Sequence, residues 1–187
     1  MKKLLLLFVI GCFTLTQLVA QESTFNKGDK VLNLGLGLGT TLYSGTGNKM
    51  GIPPISASLE VGVADNILEK GVIGVGGYLG YSSHKYDYSY GGYTEAWKYS
   101  NIVIGARGNF HYPLVNKLDT YTGLMLGYDV VSAKWVGTGT ETTHSSSGGI
   151  VWSWFIGGRY YFSDNFAAML ELGYGIAYLN IGVALKF

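Results

Sequence analysis

Cysteine is nearly absent from this 187-residue chain, and the single Cys12 lies close to the N-terminus. No intramolecular disulfide and no cysteine-based zinc cluster can form. Proline occurs only three times, and the abundant glycine has no three-residue period, which excludes a collagen-like chain. Charge is scarce and balanced, 13 Lys plus Arg against 12 Asp plus Glu, for a formal net charge of +1. That leaves no basic footprint for nucleic acid. Beyond residue 20 no stretch approaches the ~18 to 20 consecutive apolar residues that a transmembrane helix needs. What the chain does have is 29 Gly, 15 Tyr and 48% hydrophobic residues, too apolar for a disordered tail.

The first twenty residues read as an export signal. Lys2 and Lys3 form a charged start, residues 4–10 an apolar core, and Leu18-Val19-Ala20 offers a small residue where a signal peptidase cuts. Val9-Ile10-Gly11-Cys12 also resembles a lipobox, but residues 13–20 continue apolar where a lipoprotein shows a polar tether. Cleavage after Ala20 is therefore expected. It removes two lysines, brings the formal charge to −1 and leaves no cysteine. The expected organisation is a signal peptide over 1–20, a periplasmic N-terminal segment over 21–30, and one barrel domain over 31–187.

The mature chain alternates with period two, segment after segment, which is the pattern of half-buried strands. Leu32, Leu34, Leu36 and Leu38 oppose Asn33, Gly35 and Gly37. Ile55, Ala57, Leu59, Val61 and Val63 oppose Ser56, Ser58, Glu60 and Gly62, and Ile73, Val75, Leu79 and Tyr81 oppose Gly74, Gly76, Tyr78 and Gly80. Five further segments repeat the pattern. They centre on Ile104 against Arg107, Leu124 against Tyr121, Trp154 against Arg159 with Phe155 interrupting the polar face, Leu170 against Glu171, and Val183 against Lys186. The fold class expected is all-β, an eight-stranded antiparallel up-and-down barrel.

Volume decides which face is inside. The interior of an eight-stranded barrel holds only side chains, and the face carrying most glycines together with Glu60, Arg107, Arg159, Glu171 and Lys186 is the small, charged one. The other face is a Leu/Ile/Val surface with Trp and Tyr near strand ends. In water it would be an apolar patch far above the few hundred Å² typical of monomers. Hydrocarbon permits it, and closure pairs every strand edge as hydrocarbon requires. The connections expected outside the cell are 43–54, 82–96 and 131–149, and those expected in the periplasm are 64–71, 113–119 and 163–165. A fourth outer connection, over 175–177, is a tight hairpin.

The end of the chain carries a specific likeness. Glu171-Leu172-Gly173-Tyr174-Gly175, followed by Tyr178-Leu179-Asn180-Ile181-Gly182-Val183-Ala184-Leu185-Lys186-Phe187, resembles the closing hairpin of the OmpX/OmpA-like family of small outer-membrane β-barrels. The likeness spans nearly all of 31–187. It implies an integral outer-membrane protein whose Tyr178, Ile181, Val183, Leu185 and Phe187 form the assembly signal. The partners it implies are outer-membrane lipids, the barrel-assembly machinery and periplasmic chaperones; a surface ligand stays unnamed, and a monomer is expected.

Three sets of residues offer chemistry. Glu60, Arg107, Arg159, Glu171 and Lys186 either line an ion path or pair into a plug, and pairing is the expected state of buried charge. His84, near Ser82, Ser83 and Asp87, and His144, before Ser145, Ser146 and Ser147, are the candidates for lipid A chemistry, but neither spacing fixes a nucleophile, base and orienter together. His111 points into the lumen on the opposite side. Tyr86, Tyr88, Tyr90 and Tyr93 mark the second outer loop, where tyrosines serve either an interfacial belt or an adaptable binding surface. The expectation is a protein without cofactor or metal, acting in envelope structure or surface interaction and not as an enzyme. The alternatives are a lipid A-modifying enzyme, a small ion pore and a soluble lipocalin-like binder. Gly35-Leu36-Gly37-Leu38-Gly39 lacks the spacing and the following helix of a dinucleotide loop.

Overall fold

The period-two pattern folds as expected. The structure, a computed structural model, describes residues 23–42, 48–90, 93–136 and 144–187. Residues 1–20, expected as an export signal, and residues 43–47, 91–92 and 137–143 of the expected outer connections lie outside them. Eight antiparallel strands follow one another around a closed barrel: β1 (Lys30–Leu38), β2 (Asn48–Ile67), β3 (Gly71–Tyr90), β4 (Tyr93–Val115), β5 (Leu118–Val136), β6 (His144–Tyr161), β7 (Phe166–Tyr174) and β8 (Leu179–Lys186). Closure is by β1 on β8, with Leu34 opposite Val183 and Leu38 opposite Leu179.

The faces fall where side-chain volume puts them. Leu79, Ile104, Leu124, Leu126, Trp152 and Leu170 are exposed on the outer wall, whereas Glu60, Arg107, His111, Asp119, Arg159 and Glu171 are buried inside. Inward glycines make the room. A methyl group added at Gly74 would overlap the Glu60 carboxylate, and one at Gly123 would overlap Asn109 and Phe155. Phe155, the apparent break in the polar face of β6, is inward and belongs to a small interior cluster with Val103, Tyr121, Met125 and Ile176.

Strand length is where the fold departs from expectation. A membrane-crossing strand needs about 9 to 11 residues, and β1, β7 and β8 have 9, 9 and 8. By contrast β3 and β4 have 20 and 23, about twice the crossing length. The segment 82–96, expected as a loop carrying Tyr86, Tyr88, Tyr90 and Tyr93, is instead the upper part of a β3–β4 hairpin that stays in register to Tyr90 opposite Tyr93. Ladder hydrogen bonds continue because both faces tolerate polar residues once the strands leave the apolar band. The barrel is thus lopsided. At the end away from the termini, called distal here, β2 to β6 rise as a curved sheet above the short β7–β8 hairpin. At the proximal end the hairpin after β2 turns at residues 68–70, with Leu68 and Glu69 at positive φ.

Candidate functional site

The lumen is built from side chains that six strands and the N-terminal segment bring together. In the proximal half, Glu60 of β2, His111 of β4, Asp119 of β5 and Arg159 of β6 form a closed ring. Nε2 of His111 lies 2.6 Å from Glu60 Oε1, and its Nδ1 lies 2.8 Å from Asp119 Oδ1. Arg159 donates to Asp119 at 3.1 Å and also to Glu60. Asn109 Nδ2 adds a further donor to Glu60 at 2.7 Å. Both nitrogens of His111 face carboxylates, so both can donate only when the ring carries two protons. With two acids and two cations, the ring is then neutral, which is how buried charge persists.

A second pair lies above it. Arg107 Nη2 donates to Glu171 Oε1 at 2.5 Å, and Glu171 also accepts from Tyr121 at 2.9 Å and Asn180 at 3.1 Å. The cations sit on aromatic faces, Arg159 4.6 Å from the Tyr121 centroid and Arg107 4.0 Å from that of Phe155. This desolvated arrangement strengthens the attraction. The cavity beside Arg107 and Glu171 has about 40 Å³, space for a few water molecules only.

Both ends of this column are covered. Ile176, in the β7–β8 turn, is buried over the distal side, and Gly175 in that turn accepts a hydrogen bond from Thr41. At the proximal end Phe25 is fully buried against Val31, Val72, Tyr161, Ala167 and Ala184. Its segment is tied to the barrel by Gly28 N–H to Gly62 O at 2.9 Å and Gly62 N–H to Asp29 O at 3.0 Å.

Of the five lumen residues read from the sequence, Glu60, Arg107, Arg159 and Glu171 lie in the two clusters. Lys186 does not. It lies at the proximal mouth, 3.1 Å from Thr24 O and 3.7 Å from Asp29, because β8 ends there. Sequence reading missed Asp119, assigned to a turn although it continues the inward parity of Tyr121 and Gly123, and Phe25, a lone aromatic in a polar segment. Of the residues read as the assembly signal, Ile181 and Leu185 of β8 and Tyr178 and Phe187 at its two ends are exposed, and Val183 is half-buried.

Strand geometry separates His84 from Asp87, while Ser82 shares the inward face of His84 and Ser146 the face of His144. His84 faces inward and stacks on Tyr99, with centroids 4.8 Å apart. Asp87 faces outward on the same strand, where hydrogen bonds from Lys49 at 2.8 Å and from Lys85 at 3.0 Å hold its carboxyl below the usual range. Of the tyrosine set, Tyr86 is half-buried opposite Trp97, and Trp97 meets Trp135 edge to face at 5.0 Å; the side chains of Tyr88, Tyr90 and Tyr93 lie outside the described ones. Among the described residues no cluster of His, Cys, Asp and Glu is arranged to hold a metal ion.

No family model matches this sequence, and no curated protein does. Solved structures do resemble it. The N-terminal β-barrel domain of Pseudomonas aeruginosa OprF superposes with a TM-score of 0.50 at 13% identity, over 87% of this chain and 98% of that one. Ail, the attachment invasion locus protein of Yersinia pestis, in complex with the heparin analogue sucrose octasulfate, gives 0.49 at 12% identity, over 86% and 95%. In fold, this chain is a closed eight-stranded antiparallel β-barrel, similar to the OprF N-terminal domain.

Proposed function

We propose that the protein is a non-enzymatic integral component of the outer membrane, plugged through its centre, that presents the distal sheet of β2 to β6 at the cell surface for interaction. The observation that carries this reading is the inverted burial. Charged residues fill the interior while Leu, Ile, Val and Trp cover the outer wall, an arrangement that hydrocarbon stabilises and water does not. The termini then lie in the periplasm and the lopsided sheet outside. A general diffusion pore is disfavoured, because an aqueous channel takes about 16 to 18 strands.

A specific feature supports the surface role. On β6, residues 154–161 pair with β7, but residues 144–153 have, among the described residues, a strand partner only on the β5 side. An open backbone edge above the membrane is a template for strand addition by a partner. The lipid A-modifying alternative is weakened by the opposite faces of His84 and Asp87.

The test is a carbonate wash of purified outer membranes followed by electrophoresis of boiled and unboiled samples. Retention with a mobility shift on boiling is expected. Release into the soluble fraction would replace this reading by a soluble ligand-binding barrel. In cells, shortening the β3–β4 hairpin by residues 86–93 is expected to lower adhesion to surfaces or host cells while the barrel still assembles; unchanged adhesion counts against the surface role. Unaltered lipid A by mass spectrometry, in a deletion strain and in His84→Ala and His144→Ala variants, is expected for a non-enzyme.

A further inference from the structure

Strand register places four lysines and a histidine in one row across the distal sheet. Lys49 of β2 is opposite Lys85 of β3, Lys85 opposite Lys98 of β4, Lys98 opposite Lys134 of β5, and Lys134 opposite His144 of β6. Partners directly opposite in an antiparallel ladder project to the same side, with Cα atoms about 4.5 to 5.5 Å apart. Like charges so placed repel and destabilise the sheet. All five side chains are exposed. Asp87 compensates Lys49 and Lys85, but among the described residues Lys98 and Lys134 have no acidic partner.

The row continues the outer, apolar wall of the barrel and not its interior. Counting down the same strand faces, the next outward tier is Ser100, Ser132 and Ser146, each opposite the next; Ser83, opposite Ser100, is buried and accepts from Ile52 N–H. The tier below that is Ile55, Tyr81, Ile102 and Val130, again in register. Three chemistries are therefore stacked in order: hydrocarbon, hydroxyl, ammonium. Each tier is two residues, about 7 Å along the strand, so with strands tilted by about 40° the lysine backbone stands ~10 Å above the last apolar tier. The headgroup layer is about 5 to 8 Å thick on each side of the bilayer, and lysine stems reach back along the wall toward it.

We propose that this outer face of β2 to β5 is a binding site for phosphate-bearing lipid headgroups of the surrounding leaflet, with Lys98 and Lys134 as its principal cations and Ser100 and Ser132 as hydroxyl donors beneath them. A phosphate between two opposed ammonium groups converts their repulsion into two charge-assisted contacts. The lipid is held from the side, on the membrane wall, and leaves the sheet edge of β6 and its inner aromatic face free. The proposal rests on the membrane reading above for the height of the row.

The test uses the full mature barrel in dodecyl maltoside micelles, titrated separately with dihexanoyl phosphatidic acid, dihexanoyl phosphatidylcholine and inorganic phosphate, with the amide resonances of Ser100 and Ser132 as the readout. Saturable shifts with phosphatidic acid are expected, at a midpoint at least tenfold below that for phosphatidylcholine. At about a fivefold effect for each lysine near an anionic surface, K98Q/K134Q raises the midpoint on the order of thirty-fold. K27Q/K30Q, an equal change of charge at the other end of the barrel, leaves it within about twofold, since those lysines lie more than a Debye length away. Equal midpoints for the two lipids, or equal loss in both double variants, overturns the site. Inorganic phosphate shifting the same amides at the same midpoint as phosphatidic acid overturns the lipid assignment, since the ligand is then a free anion. Release of the protein from membranes by carbonate removes the membrane reading itself; loss of the phosphate preference in a barrel that stays in the membrane removes this proposal alone.

Discussion

The ring of Phe25 lies over the imidazole of His111, with centroids 4.2 Å apart and planes at 32°. This contact joins the N-terminal segment to the ionic ring of the lumen. Arg159 faces the same phenyl group at 5.7 Å, so one apolar side chain shields two buried cations from the proximal opening.

Phe25→Ala is therefore expected to release the segment 23–29 without unfolding the barrel. A buried phenylalanine contributes about 3 kcal/mol to what it anchors, so the amide protons of Gly28 and Gly62 exchange on the order of a hundred-fold faster in a local opening. Hydrogen exchange measured by NMR in micelles checks this, with the mobility shift on boiling retained. Unchanged exchange at both glycines would mean that the turn, and not the phenyl ring, holds the segment.

The Glu60–Arg159 contact supports a second prediction. Arg159→Gln leaves Glu60 and Asp119 facing His111 alone, and Glu60→Gln leaves two cations facing Asp119. Each single change leaves an uncompensated buried charge and costs about 3 to 5 kcal/mol. The double variant restores neutrality through His111 and Asp119, so it is expected to be more stable than the sum of the singles by about 2 kcal/mol. Urea unfolding of all four proteins in phospholipid vesicles measures the coupling. Strict additivity would show that the ring is not one electrostatic unit.

How far the molecule can be read without coordinates follows from which signals a sheet writes into its sequence. Burial on one face writes alternation, so Leu32 to Leu38, Ile55 to Val63 and Thr122 to Val130 are legible as outward faces, and Glu60, Arg107, Arg159 and Glu171 as inward ones. Above the apolar band both faces are polar, alternation loses its contrast, and 82–96 reads as a loop although its backbone stays in ladder register. Contacts between strands leave no local trace at all. Lys49, Lys85, Lys98, Lys134 and His144 are spread over 96 positions, and only register aligns them. Phe25 is similarly silent, because an aromatic residue outside any periodic segment carries no information about what it covers.

The exposed C-terminal strand makes a third prediction. Phe187 closes the barrel through its backbone, donating to Lys30 O at 3.0 Å, while its side chain is 67% exposed. Phe187→Ala therefore removes no interior contact and is expected to leave refolding into detergent unchanged. If the ring belongs to the assembly signal, the same variant shows a severalfold lower heat-modifiable fraction in cells. Loss in both settings would assign the residue a folding role instead.

Closure at two levels makes the last prediction. A current needs a continuous wet path, and here Phe25 covers one end, Ile176 the other, with two neutral ionic clusters between them. The wild-type protein in planar bilayers is expected to show no discrete conductance. R107Q/E171Q is expected to remain silent, because the Glu60–His111–Asp119–Arg159 ring and Phe25 still block the path below it. Opening the column requires changes at both ends and in both clusters: F25A/R159Q together with R107Q/E171Q and I176A removes both covers and one partner or more from each ionic cluster, and brief openings are expected from that variant alone. Steps in the wild-type trace that change size with R107Q/E171Q would overturn the plug, because the charges at Arg107 and Glu171 would then be lining a path that ions already use.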